Sequence, residues 1–422
     1  MRRAFGVAVA ALAWLYTAAH FVSSGVRQPL ANFTGDFLAS FPAWQLCVLF
    51  GRLDLFEGSL ARYWAIEKFG GDHPLWHYGP AQHLITLPLY AFPDLHSAYT
   101  VWLAANYAFL FAILVLASRV FESGRAKWVW LSFVVLAALN YSPLYEALTQ
   151  RNIEIFELLL IFVAFALGQK HRETGAGIAI GLAAMTKFLP LIFLPHLVLK
   201  RRFRALAASM MAIVPLAVGA QMVLDWRYSG ILIQLRRGSF IDTDLNQSLS
   251  GMIIRLLKWT RSSLSAETMS RAAIAFALLG VCWLLFRARE CRSMDDLEWS
   301  TLIVAMVLLP PHNQQYYFVL LLFPYLALLA RELRPDAPPH RARSWWLAIS
   351  FVLTGTVIPL SVLSKLIGVN VFYAYLAYGV PFVGAGILAV ICVRSVISER
   401  TTARNDTNVT GGDSLHHEQL MS

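Results

Sequence analysis

Charged side chains are scarce in this sequence, at 14% of 422 residues against 58% hydrophobic ones. So little charge cannot keep a soluble domain of this length dissolved. Cysteine is nearly missing as well. Cys47, Cys282, Cys291 and Cys392 show neither metal-ligand spacing nor a framework of pairs, which argues against a disulfide scaffold and a structural zinc site. No convincing internal repeat stands out, and no small-residue cleavage site follows the apolar start. Residues 4–22 therefore read as a first membrane helix rather than a signal peptide.

What the sequence has instead is long apolar runs separated by short basic clusters. Runs of about 18 to 25 residues match the hydrocarbon thickness of a bilayer. The pattern predicts ten spanning helices, over residues 4–22, 97–118, 127–144, 153–168, 205–224, 268–286, 297–311, 316–330, 345–366 and 371–393. The expected fold class is an all-α polytopic membrane protein, with one transmembrane domain over residues 1–397 and a polar, disordered cytoplasmic tail over 398–422.

The net charge of +10 does not indicate a nucleic-acid partner. Its basic residues sit at segment ends, as in Lys200-Arg201-Arg202 and Arg287-Ala288-Arg289, which is the positive-inside pattern of cytoplasmic loops. That pattern puts both termini inside and two long loops, about residues 23–97 and 225–267, outside. The first loop contains amphipathic stretches at 37–49 and 53–66 that suit the membrane interface. Residues 173–199 are apolar but basic at both flanks. They read either as a re-entrant helical hairpin broken near Lys187 and Pro190 or as one tilted span.

The polar motifs gather mainly in the external segments. Asp36, in Phe33-Thr34-Gly35-Asp36-Phe37, suits a general base that takes a proton from an acceptor hydroxyl, and equally a helix N-cap. His73 and His77 are four apart. Pro74 and Gly79-Pro80 oppose a helix there, so Trp76, His77 and Tyr78 read as a wall for a sugar or headgroup, or as an interface belt, rather than as metal ligands. The stretch Glu146 to Glu154, with Gln150, Arg151 and Asn152 in it, lies where two helices emerge, as a headgroup site or a solvated turn. Asp242-Thr243-Asp244 is a lone DxD. Asn246, followed by Gln247 and Ser248, either caps the next helix or binds a ligand. His312 and Asn313 belong to a dense polar cluster between apolar helices, which is costly unless hydrated or paired. Lys187, an intramembrane lysine, can meet a lipid phosphate, pair with a buried carboxylate or snorkel to the interface.

Taken in order, these motifs resemble glycosyltransferase family 87, membrane enzymes of the GT-C fold. The resemblance rests on the early Asp36, Tyr78-Gly79-Pro80, Gln150-Arg151-Asn152, the block from Gly181 to Pro190, Asn246-Gln247-Ser248 and Pro311-His312-Asn313. It implies an inverting transfer at the periplasmic face from a polyprenyl-phosphate sugar, mannose first, to a lipid- or glycan-linked acceptor. By that resemblance Asp36 matches the catalytic base, and His312 matches the motif tied to the donor phosphate. Arg236, Arg237 and Lys187 join it as candidates for the phosphate and lipid. His77, Tyr78, Gln150, Asn152, Asn246, Gln247, Ser248 and Asn313 are substrate-binding candidates. The partners expected are membrane lipids, the lipid-linked donor and a glycan or glycolipid acceptor, in a bacterial cytoplasmic membrane and without a cofactor. Two departures stand out: Arg151 after Gln150, where relatives carry a small or apolar residue, and Asn313, where a second histidine is frequent. A transporter or flippase of lipid-linked glycans, or a polymerase or ligase of them, is the competing class. A transporter requires polar groups at mid-bilayer and a repeat.

Overall fold

The computed structural model describes residues 2–31, 87–92, 94–121, 124–223, 245–288, 295–334, 341–355 and 360–419, and among them there is helix and no strand. The helices are α1 (Arg2–His20), α2 (Leu95–Val120), α3 (Lys127–Leu139), α4 (Ser142–Gln150), α5 (Glu154–Gln169), α6 (Glu173–Lys187), α7 (Phe193–Leu199) and α8 (Phe203–Val223). They continue as α9 (Leu249–Trp259), α10 (Ala266–Ala288), α11 (Asp295–Leu308), α12 (Leu322–Glu332), α13 (Arg341–Thr354), α14 (Leu360–Ile367), α15 (Val371–Ala377) and α16 (Val380–Gln419). The last of these runs through the segment set apart above as a tail.

Four described helices are each long and apolar enough to cross a membrane, or five when the bent pair α3–α4, angled by 60°, counts as one. Their outward faces are apolar: Phe276 on α10 is 82% exposed and Phe111 on α2 is 70% exposed. In water such surfaces would aggregate; against lipid they are matched to their solvent. The chain is a helical membrane protein.

At the centre stand α11 and α12, buried nearly all round, with α11 apolar beyond its acidic first turn and its Ser300-Thr301 pair. Phe165, Phe193, Trp299 and Phe323 interlock there, with ring centroids 4.5 to 6.3 Å apart, in the edge-on and offset arrangements that aromatic quadrupoles favour. Asp94 caps α2, accepting from the Ser97 hydroxyl and the Ser97 N–H, both at 2.7 Å; those two bonds hold its carboxyl below the usual range.

Of the expected span 345–366, α13 covers the part up to Thr354 and α14 the part from Leu360, and residues 356–359 lie outside the described residues. Residues 371–393 divide at Gly379, whose φ of 68° only glycine adopts freely. The Arg255 guanidinium fills the space where a Cβ would sit.

Helix α6 leaves the basic end of the molecule, breaks at Phe188, and a single 3-10 turn (Leu189–Ile192) leads into α7. Glu173 at the start of this segment and Lys200 just past its end line the same cavity. Helix α6 packs on α8 so closely that a Cβ on Gly181 would lie 2.6 Å from the Ser209 carbonyl oxygen and 2.8 Å from the Ala212 methyl. Gly181→Ala is therefore expected to destabilise by about 1–3 kcal/mol through overpacking, despite the better helix propensity of alanine. Thermal melting of the purified protein checks this; a variant melting at or above the wild-type temperature contradicts the close packing.

Candidate functional site

The polar motifs at the end of the bundle away from the basic loops are built from four chain segments. Helix α5 starts there and ends at the basic end, so its 16 residues separate the two ends by about 24 Å.

Asn246, Gln247, Ser248 and Asn313 lie together and are fully buried. The Asn313 and Ser248 N–H groups both donate to Asn246 Oδ1 at 3.1 Å, and Asn246 Nδ2 donates to the Pro311 carbonyl at 3.0 Å. Gln247 N–H donates to Asn313 O at 2.6 Å, while Gln247 Nε2 reaches across to Leu376 O at 2.8 Å. Asn313 Nδ2 donates to Val307 O. A stretch that leaves its helical ladder inside a membrane protein must satisfy its backbone groups from side chains, and these amides do so. The cap of α9 is Ser248, whose hydroxyl accepts from Gly251 N–H at 3.2 Å. The capping role considered for Asn246 falls instead to the residue two places on, because Asn246 is held by Pro311 and Asn313.

This clamp fixes the loop that carries His312. That ring is half-buried, and its Nε2 lies 3.4 Å from Gln314 Nε2. Beyond it, Tyr316 and Tyr317 stack at 4.8 Å, and the Lys187 ammonium sits over both rings, 4.1 Å from the Tyr317 centroid and 5.1 Å from that of Tyr316. The same ammonium pairs with Glu154 of α5. Of the partners considered for Lys187, the one in the structure is a buried carboxylate; the lysine side chain is 5% exposed. Glu157, one turn further along α5, is also buried, and neither of its carboxyl oxygens has a hydrogen-bond partner among the described residues. Ionisable groups buried among apolar helices cost several kcal/mol each, which marks them as candidates for a site.

Gln150 ends α4 half-buried, and Asn152 is buried with its N–H on Ala147 O at 3.2 Å. Between them Arg151 takes a left-handed φ of 53°, lies over the Tyr99 ring and donates to Pro29 O, while its own carbonyl accepts from Trp102 Nε1 at 2.9 Å. The departure from the family pattern at this position thus ties α4 to α2 and to the segment after α1. Asp36, His73, His77, Tyr78, Arg236, Arg237, Asp242 and Asp244 lie outside the described residues.

Sequence reasoning passed over Glu157, and it met Glu154 and the tyrosine pair only as the ends of longer polar stretches without giving them a role. The available signal was two carboxylates three apart on an otherwise apolar helix, a spacing that puts both on one face.

No curated protein and no solved structure matches the chain. The family model for glycosyltransferase family 87 does match, over residues 76–311, more than half of the chain; the span takes in Glu154, Glu157, Lys187 and Asn246-Gln247-Ser248 and ends before His312 and Asn313. The chain belongs to glycosyltransferase family 87.

Proposed function

We propose that the protein transfers a sugar, mannose first, from a polyprenyl-phosphate donor to a lipid- or glycan-linked acceptor at the periplasmic face of a bacterial cytoplasmic membrane. Asp36 is the general base of this inverting transfer: it removes the acceptor proton as that oxygen attacks the anomeric carbon, and the donor phosphate leaves. His312 meets the phosphate, with Arg236 and Arg237 as further cations, and Lys187, paired with Glu154, supports the tyrosine pair from behind. His77, Tyr78, Gln150 and Asn152 line the sugar and acceptor side, while Asn246, Gln247, Ser248 and Asn313 hold the loop. The shorter buried helices complete ten spans in this reading, with residues 173–199 re-entering from the cytoplasmic side.

The observation that carries the proposal is the clamp joining Asn246-Gln247-Ser248 to Pro311-His312-Asn313 at the end opposite the basic loops. If the basic end is cytoplasmic by the positive-inside rule, that site faces away from the compartment where nucleotide sugars are made. A charged diphosphate sugar does not cross a bilayer unaided, so the donor must already have been flipped, and a polyprenyl-phosphate sugar meets that condition.

Purified protein is expected to transfer sugar from a short-chain polyprenyl-phosphate donor and to ignore the matching nucleotide sugar. His312→Ala should weaken donor binding more than acceptor binding, since charge-assisted hydrogen bonds to phosphate are among the stronger polar contacts. Turnover supported by nucleotide sugar alone would overturn the donor assignment and direct attention to Asp242 and Asp244.

A further inference from the structure

The basic end of the bundle holds a cavity of about 1020 Å³ that the transfer reaction does not use. Six arginines and lysines line it against three carboxylates. The carboxylates of the first turn of α11 are already engaged. Asp295 takes Arg202, Asp296 accepts from Arg331 Nε and Nη2 at 2.6 Å each, and Glu298 behind them takes Lys200 at 2.7 Å. These pairs hold the wall. Arg119 and Arg201 are exposed in the cavity and have no carboxylate partner among the described residues.

The turns that present the cations are built alike. After α5 and after α7, a lysine is followed by a residue with left-handed φ, His171 at 55° and Arg201 at 54°, and then by an arginine. The arginine N–H returns to the carbonyl five residues back, Arg172 to Leu167 and Arg202 to Leu197, both at 2.9 Å. This closure ordinarily uses glycine, which bears no strain at that φ. Here two cation-forming side chains occupy the strained positions, and both open into the same cavity. Strain of this kind persists where the side chain is needed.

A second cavity of about 770 Å³ shares His171, Glu173 and Arg201 with the first and is lined also by Phe203, which is 59% exposed at the start of α8. The cationic space therefore leads onto the apolar outer flank of α6 and α8, where Ile178 and Met211 are exposed. A concave surface with excess positive charge and low-dielectric walls concentrates anions. Basic pockets between membrane helices suit phosphate headgroups whose chains lie along the helix flank.

We propose that this cavity binds a phosphate-bearing anion, the headgroup of an anionic lipid entering along α6 and α8, with Arg119 and Arg201 as its charge partners and His171 as a hydrogen-bond donor. The site lies at the opposite end from the proposed transfer site and does not depend on it.

Full-length protein in neutral detergent, incubated with phosphatidic acid, phosphatidylcholine or inorganic pyrophosphate, tests this by native mass spectrometry. Phosphatidic acid should be retained at least 10-fold over phosphatidylcholine, and R119Q/R201Q should bring the two level. Retention of pyrophosphate without retention of phosphatidic acid would keep the phosphate chemistry and assign a soluble source. Arg201→Gly separates binding from folding: relief of the left-handed strain should raise the melting temperature by about 1–2 °C while retention falls. Equal retention of both lipids without pyrophosphate binding, or retention unchanged in R119Q/R201Q or in Arg201→Gly, overturns the proposal.

Discussion

Lys187→Met is expected to destabilise the protein by about 3–5 kcal/mol, the usual effect of removing one partner from a buried ion pair. The ammonium meets Glu154, sits over Tyr316 and Tyr317, and has Glu157 one turn away on the same helix. Methionine fills much of the same volume, so the loss is electrostatic rather than a cavity. It leaves two carboxyl groups buried without that cation. The double variant Lys187→Met/Glu154→Gln should recover most of the loss, because a neutral amide is far cheaper to bury than an unpaired carboxylate. Thermal melting of the two single variants and the double yields the coupling between the sites. If the double melts no higher than Lys187→Met alone, the pair does not hold α5 to α6 in the way described.

Asp36→Asn is expected to lower the transfer rate by about 100-fold or more, equivalent to roughly 2.7 kcal/mol of transition-state stabilisation. Asparagine keeps the shape and the capping ability of aspartate but cannot accept the acceptor's proton. Insertion and donor-lipid binding should therefore persist while turnover collapses. Asp36→Glu should recover little, since one methylene moves the carboxylate relative to the attacking oxygen, and a small misplacement is enough to lose a productive geometry. The check is the transfer rate of purified wild type and variants alongside donor binding. Near-normal turnover in the asparagine variant would return Asp36 to the role of a helix cap.

The two expectations differ in how they arise. Asp36 is singled out by sequence order and by the family it resembles. The place of Lys187 inside an apolar run was legible, but whether it is buried or snorkels, and what partner it takes, was not. Glu154 lies 33 residues earlier, on another helix, and nothing in the local pattern around either residue names the other. Arg151 shows the same limit from the other side. Read as a departure from the family pattern, it is a structural bolt whose contacts, Tyr99 and Pro29, lie 52 and 122 residues away.

Membrane residence, the placing of most helices and the clustering of basic loops were determined by the sequence itself, while a break near Lys187 was one of two readings it left open. Each depends on local quantities: apolar length against bilayer thickness, charge at segment ends, and proline within a few residues. Gly379 carried the break between α15 and α16 in plain view, although hydropathy runs one apolar stretch through it. Only the tertiary structure decided that Ser248 rather than Asn246 caps α9, that the buried amides satisfy the backbone of two loops, and that two separate basic turns open into one cavity. The reason is physical: helix formation is governed by residues three or four apart, whereas a buried polar group takes whichever partner the packing of distant helices brings within reach.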